Sequence, residues 1–160
     1  MGVPHQLRVR TKKFLSEVPV SASPGATCAS GRQLEVALLF TSAEATVSAL
    51  EKTAALLRGL DARINLVAIQ TVPYRLALNN PPVSISFNEQ RLQNIASESP
   101  IETAAYLYIC RCPFETLTSV LNPDSVLIVG TRKRWWPTWE RRLAGKLESA
   151  GFRIVLLEVD

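Results

Sequence analysis

Apolar residues in this chain come in short unbroken runs, separated by longer stretches in which they recur every third or fourth position. Val36 to Phe40 (VALLF) is a run of strand length, and an uninterrupted run suits a strand buried on both faces, as in a parallel sheet. It ends in Thr41-Ser42, where Ser42 is placed to cap a helix by accepting a backbone N–H bond. That helix is expected from Ala43 to about Leu57, with Val47, Leu50, Ala54 and Leu57 on one face. Gly59 stands near its end, where a left-handed residue stops a helix at little cost. Ile64 to Ile69 reads as a second buried strand, ending at Thr71-Val72-Pro73-Tyr74.

The prolines of Asn79-Asn80-Pro81-Pro82 forbid regular helix there, and Val83 to Phe87 reads as a short extended piece. Asn88 is expected to cap a helix to about Ser97, with Leu92, Ile95 and Ala96 inward. Ala104 to Cys110 is a third strand. Pro113 suits the first turn of a short helix carrying Leu117, Val120 and Leu121, and Asn122-Pro123-Asp124 ends it. Val126 to Val129 is a fourth strand that turns at Gly130. Thr138 or Trp136 opens a last helix with Trp139, Leu143 and Leu147 along its core face. Gly151 closes that helix, and Arg153 to Val159 is a fifth strand.

Strands alternating with helices imply right-handed crossovers in a parallel sheet. The expected fold is therefore α/β: a three-layer sandwich with a five-stranded parallel sheet and helices on both faces. Ligand sites in such folds lie at the carboxyl ends of strands. Here those ends are Thr41-Ser42, Thr71 to Tyr74, Arg111-Cys112 and Gly130 to Arg134.

Charge adds a second boundary. Residues 1–34 hold Arg8, Arg10, Lys12, Lys13 and Arg32 against Glu17, whereas basic and acidic residues balance in 35–160. The chain thus divides into a basic leader or arm, 1–34, and a regular domain, 35–160. Within the leader, Gln6 to Phe14 has the alternation of a short strand, and Val20 to Gly31 reads as a linker or flexible arm. Within the domain, residues 131–146 hold Arg132, Lys133, Arg134, Arg141, Arg142 and Lys146 against Glu140 alone. All three tryptophans, Trp135, Trp136 and Trp139, lie in the same stretch.

The residues that would carry chemistry are few. The only histidine is His5, in the leader, so a Ser-His-Asp arrangement is not expected. No nucleophile elbow, Walker A loop or dinucleotide glycine motif occurs, and no catalytic residue is assigned. Cys28, Cys110 and Cys112 lack the partners and spacing of a zinc site, and an odd count argues against a disulfide framework. No apolar run reaches the roughly 18–20 residues of a membrane span, and the amino-terminal segment lacks the apolar core of a signal peptide. A cytoplasmic protein is expected.

Residues 35–160 resemble the universal stress protein family. The resemblance rests on VALLF with Ser42 opening a helix, on the strand ending in Val72-Pro73, and on Asp124-Ser125-Val126-Leu127-Ile128-Val129-Gly130-Thr131-Arg132. The last segment is similar to the family's Asp, apolar run, Gly-(Ser/Thr)-Arg. The resemblance implies a five-stranded α/β domain that pairs as a homodimer through its last strand, and a stress-response role.

The family's nucleotide-binding pattern is broken here. Thr41 stands where those members carry an Asp, and Lys133, Leu143 and Ala144 stand where they carry Gly, Gly and Ser or Thr. Side chains there block the approach of backbone N–H groups to phosphate. No cofactor is therefore assigned, and ATP or another nucleotide is disfavoured. The expected role is regulatory or scaffolding, through dimerisation and partner docking with Trp135 and Trp136 as anchors. One alternative is a sensor holding an anionic or phosphorylated small ligand with Thr41, Ser42, Val72, Gly130, Thr131, Arg132, Lys133 and Arg134. Another, less favoured, is nucleic-acid binding through the basic leader and the Trp/Arg loop.

Overall fold

The computed structural model describes residues 10–13 by their backbone, and residues 33–132 and 138–159 in full. The expectations for Val20 to Gly31, Lys133, Arg134, Trp135 and Trp136 lie outside the described residues. In chain order the elements are β1 (Arg10–Lys13), β2 (Leu34–Leu39), α1 (Ala43–Leu56), β3 (Ala62–Thr71) and α2 (Ile85–Ser97). They continue with β4 (Thr103–Cys110), α3 (Pro113–Val120), β5 (Val126–Arg132), α4 (Trp139–Ser149) and β6 (Arg153–Val159).

Every strand pairing is parallel, and the sheet order is β1-β4-β3-β2-β5-β6. The five strands expected of the domain are all present. The leader contributes β1, which pairs with β4 from Arg10 opposite Tyr106 to Lys13 opposite Ile109. From β2 the chain steps outward through α1 to β3 and through α2 to β4. It then crosses back through α3 to β5 and continues through α4 to β6. With right-handed crossovers, this reversal puts α1 and α2 on one face of the sheet and α3 and α4 on the other. The order reverses between β2 and β5.

Two cores result, one on each face. Leu38, Ile64, Leu66, Leu107 and Ile128 pack with Ala45, Ala49 and Leu50 of α1 and with Leu92, Ile95 and Ala96 of α2. Leu39, Val67, Leu127 and Val129 pack with Leu117 of α3 and with Leu143 and Leu147 of α4. Successive strand residues point to opposite faces, so β2 commits Leu38 to one core and Leu39 to the other. No helix among the described residues is long and apolar enough to cross a membrane.

Helix starts and stops follow the local chemistry, with three corrections. Ser42 caps α1 as expected, its Oγ accepting from the Ala45 N–H at 3.3 Å, and Gly59 after it takes a left-handed φ of 84°. The first correction concerns α2, which begins at Ile85, so the piece expected to be extended is largely helical and Ser84 takes the cap position. Asn88 lies inside that helix, and its Nδ2 donates instead to the Gln70 Oε1 at 3.0 Å. Second, β5 does not turn at Gly130 but runs on to Arg132.

Third, Trp139 is 52 % exposed, whereas Leu143, Ala144 and Leu147 are buried. At 100° per residue, Trp139 stands about 90° from the centre of the arc formed by those three, so i+4 spacing alone did not carry it inward. In α1 the buried face is broader than expected: Ala45, Thr46, Ala49 and Thr53 join Leu50 and Ala54, and Val47 is half-buried.

Candidate functional site

The reversal between β2 and β5 brings Thr41, Ser42, Gly130, Thr131 and Arg132 to one end of the sheet, where open α/β folds hold ligands. In this chain most of the polar groups there are already engaged by neighbouring described residues. The Thr41 N–H donates to the Thr46 Oγ1 at 3.2 Å, and the Thr41 Oγ1 donates to the Gly130 carbonyl at 3.0 Å, tying β2 to β5 across the crevice. The Ser42 Oγ is occupied by the Ala45 N–H. Arg132 forms an ion pair with Glu44 in the first turn of α1. Both side chains of that pair are well exposed, so it contributes little to stability, but it sets a carboxylate against the cation an anion would need.

Gly130 has a packing role. A Cβ added there would meet the Ala45 carbonyl oxygen at 2.8 Å and the Ala49 Cβ at 3.0 Å. Its missing side chain is what lets α1 lie directly on β5. Thr131, the next residue, is buried at 3 % exposure, and its Oγ1 has no hydrogen-bond partner among the described residues.

Val72 does not join this group. It is buried with Leu78 and Ile109, and its N–H donates to the Cys110 carbonyl at 2.8 Å. The loop beside it is held by two residues whose roles the sequence pattern does not expose. Arg111 donates from Nη1 to the Val72 carbonyl at 3.1 Å and to the Pro73 carbonyl, and its guanidinium lies 5.3 Å from the centre of the Tyr74 ring. Gln70, largely buried at the end of β3, donates to the Val83 carbonyl at 2.6 Å and accepts from Asn88. A lone polar residue at a strand end was the only available signal for either.

The titratable groups nearby behave as packing residues. Burial raises the Cys110 thiol above its ordinary value, nearby Cys112 adds to this, and a hydrogen bond with Thr116 opposes it. A thiol so placed is held in its protonated, unreactive form. Cys112 occupies the cap position of α3 without a side-chain hydrogen bond. No cluster of metal-ligating side chains occurs among the described residues.

Tyr106 and Tyr108 stack on one face of β4 with ring centres 6.5 Å apart. Burial, then the neighbouring Tyr106, pushes Tyr108 from 10.0 up to about 12. The unfolded chain therefore loses this proton first as pH rises. The stability linked to Tyr108 is complete below pH 10 and is lost progressively as the pH climbs to about 12. Denaturant midpoints measured across that range should fall with pH, and Tyr108→Phe should flatten the slope. An unchanged slope in the variant would assign the alkaline loss to other groups.

No protein-family model matches the chain, and no significant match to a curated protein is found.

Proposed function

We propose that this is a universal-stress-like regulatory or scaffolding protein that works by pairing with a second copy and docking protein partners, without ATP held by the family motif. The observation that carries this reading is the contrast between its two sheet positions. The β2–β5 crevice is bridged by the chain's own Thr41–Gly130 bond, and α1 packs closely on Gly130 beside it. The β6 edge instead presents Val155 and Leu156, 41 % and 45 % exposed, on a strand with no outer neighbour among the described residues. An open apolar strand edge is a ready template for another strand. The Arg132–Glu44 pair weighs against the alternative of an anion sensor at the end of β5.

The oligomeric state tests the pairing. At roughly 100 µM, where a dimer of micromolar affinity is formed, light scattering should return twice the chain mass. Val155→Lys combined with Leu156→Lys should return a monomer that still unfolds cooperatively but melts somewhat lower, because lysine on an edge strand blocks pairing without disturbing a core and the stabilisation supplied by pairing is lost. A monomeric natural chain at that concentration would overturn the pairing.

A further inference from the structure

Helix α4 presents a second surface, on the side away from the sheet, that no other described residue covers. Five of its exposed positions, Trp139, Arg142, Gly145, Lys146 and Ser149, fall within one arc of about 120° at helical spacing, and exposed Glu148 lies outside it. Four of them, with Phe114 of α3, line an open groove of about 670 Å³ between the two helices. Both charged residues of the arc are cations, one helical turn apart. Glu140 and Glu148 of the same helix lie outside it, and neither they nor Glu115 of α3 line the groove.

Gly145 is the informative member. A glycine inside a helix costs about 1 kcal/mol relative to alanine. Gly130, in strand β5, is explained by the close approach of α1, but a Cβ at Gly145 would have nothing within 4 Å among the described residues. Among the described residues no contact uses the missing side chain, which leaves the backbone bare for a molecule outside them. Trp139 stands at the head of the same arc, 52 % exposed. Trp and Arg are the residues most enriched where interfaces concentrate their binding energy.

We infer that the α3–α4 groove docks an acidic amphipathic helix of a partner protein. Its glutamates, four residues apart, would face Arg142 and Lys146, and its apolar side would rest on Phe114 and the open backbone of Gly145. A third helix fits a groove between two helices by ordinary ridge packing, and a bare glycine permits close approach. Two cations supply too few phosphate contacts for nucleic acid, whose affinity grows with the number neutralised. Two-fold pairing of this arc with itself is disfavoured, because it would set Arg142 and Lys146 against their own copies.

The inference rests on the partner-docking part of the proposed function and is separate from pairing through β6. The test uses the full chain and a fluorescein-labelled synthetic helical peptide bearing Leu on one face and Glu pairs four residues apart beside it. Anisotropy should report saturable binding with micromolar affinity. Gly145→Leu should weaken it at least about tenfold, a loss of about 1.4 kcal/mol. The variant should melt no lower than the natural chain, since leucine is the better helix former, so unfolding cannot account for the loss. Arg142→Glu with Lys146→Glu should weaken binding at least as much and favour a peptide with Lys in place of Glu. The V155K/L156K chain should bind like the natural one, so failure of pairing and failure of docking are read separately. No anisotropy change up to about 1 mM peptide, equal binding by Gly145→Leu, or tighter binding of a single-stranded oligonucleotide would overturn the inference.

Discussion

Gly130→Ala is expected to destabilise the protein by about 2–3 kcal/mol, the upper part of the range for overpacking a close-packed interior. The new methyl would sit 2.8 Å from the Ala45 carbonyl oxygen and 3.0 Å from the Ala49 Cβ. The first of these atoms is helix backbone, which cannot rotate aside, so relief requires α1 to lift from β5. Lifting it would open the apolar contacts that Ala45 and Ala49 make in that core and strain the Thr41–Gly130 hydrogen bond. Trimming Ala49 to glycine in the same chain should restore little, because the backbone clash stays and a glycine inside α1 adds its own cost. Urea unfolding measures the change. A loss below about 0.5 kcal/mol would mean that α1 shifts freely and that Gly130 is not a packing contact.

The second large effect is expected in β2. Leu38 is 0 % exposed and Leu39 2 %, and each belongs to a different core. Leu38→Ala removes buried side chain from among Ile64, Leu66, Leu107 and Ile128, and should cost about 3–4 kcal/mol in transfer and cavity terms. Leu39→Ala should cost a similar amount by emptying space between β2 and the α3–α4 layer. The two residues are chain neighbours, yet the sheet separates their side chains. Their effects should therefore add to within about 0.5 kcal/mol, as for sites with no shared partners. Strong coupling in the double variant would show that the two faces relax together. For a domain of this size each loss is a substantial part of the total stability, so equilibrium denaturation at low temperature is the appropriate measurement.

The two largest effects fall on residues that the apolar pattern could see to different degrees. VALLF announces a strand buried on both faces, and Leu38 and Leu39 meet that expectation. Gly130 was visible as a glycine at a strand end, which suggested a turn or room for a ligand. Its role in α1 packing depends on Ala45 and Ala49, in a helix far earlier in the chain, and no local pattern encodes that approach. Trp139 shows the same limit. The i+4 rule placed it beside Leu143, but the sheet contacts lie farther around α4 and leave it exposed. The helix start at Ile85 was hidden by the preceding Pro81-Pro82, whose strong signal for irregular backbone extended only to the residues before it.

The site divides along the same line. That Thr41, Ser42 and Gly130 to Arg132 would meet was legible from alternating strands and helices, because parallel crossovers carry strand ends to one side of the sheet. That Thr41 and Arg132 are already engaged was not, since the Thr41–Gly130 bond spans 89 residues and the Arg132–Glu44 pair also joins distant segments. The placing of Val72 in the core, and the loop contacts of Arg111 and Gln70, likewise arise from three-dimensional neighbours.

Strand and helix periodicity, capping at Ser42, stopping glycines and the alternation that demands a parallel sheet all act within a few residues, and the chain alone decided them. Whether a polar group at a strand end meets solvent or another polar group, whether a glycine makes room for a helix or leaves bare backbone outward, and which face of an amphipathic helix finds the sheet were decided only on folding. Those outcomes depend on distances between segments far apart in the chain, where packing and hydrogen-bond geometry select among arrangements that local pattern leaves equivalent.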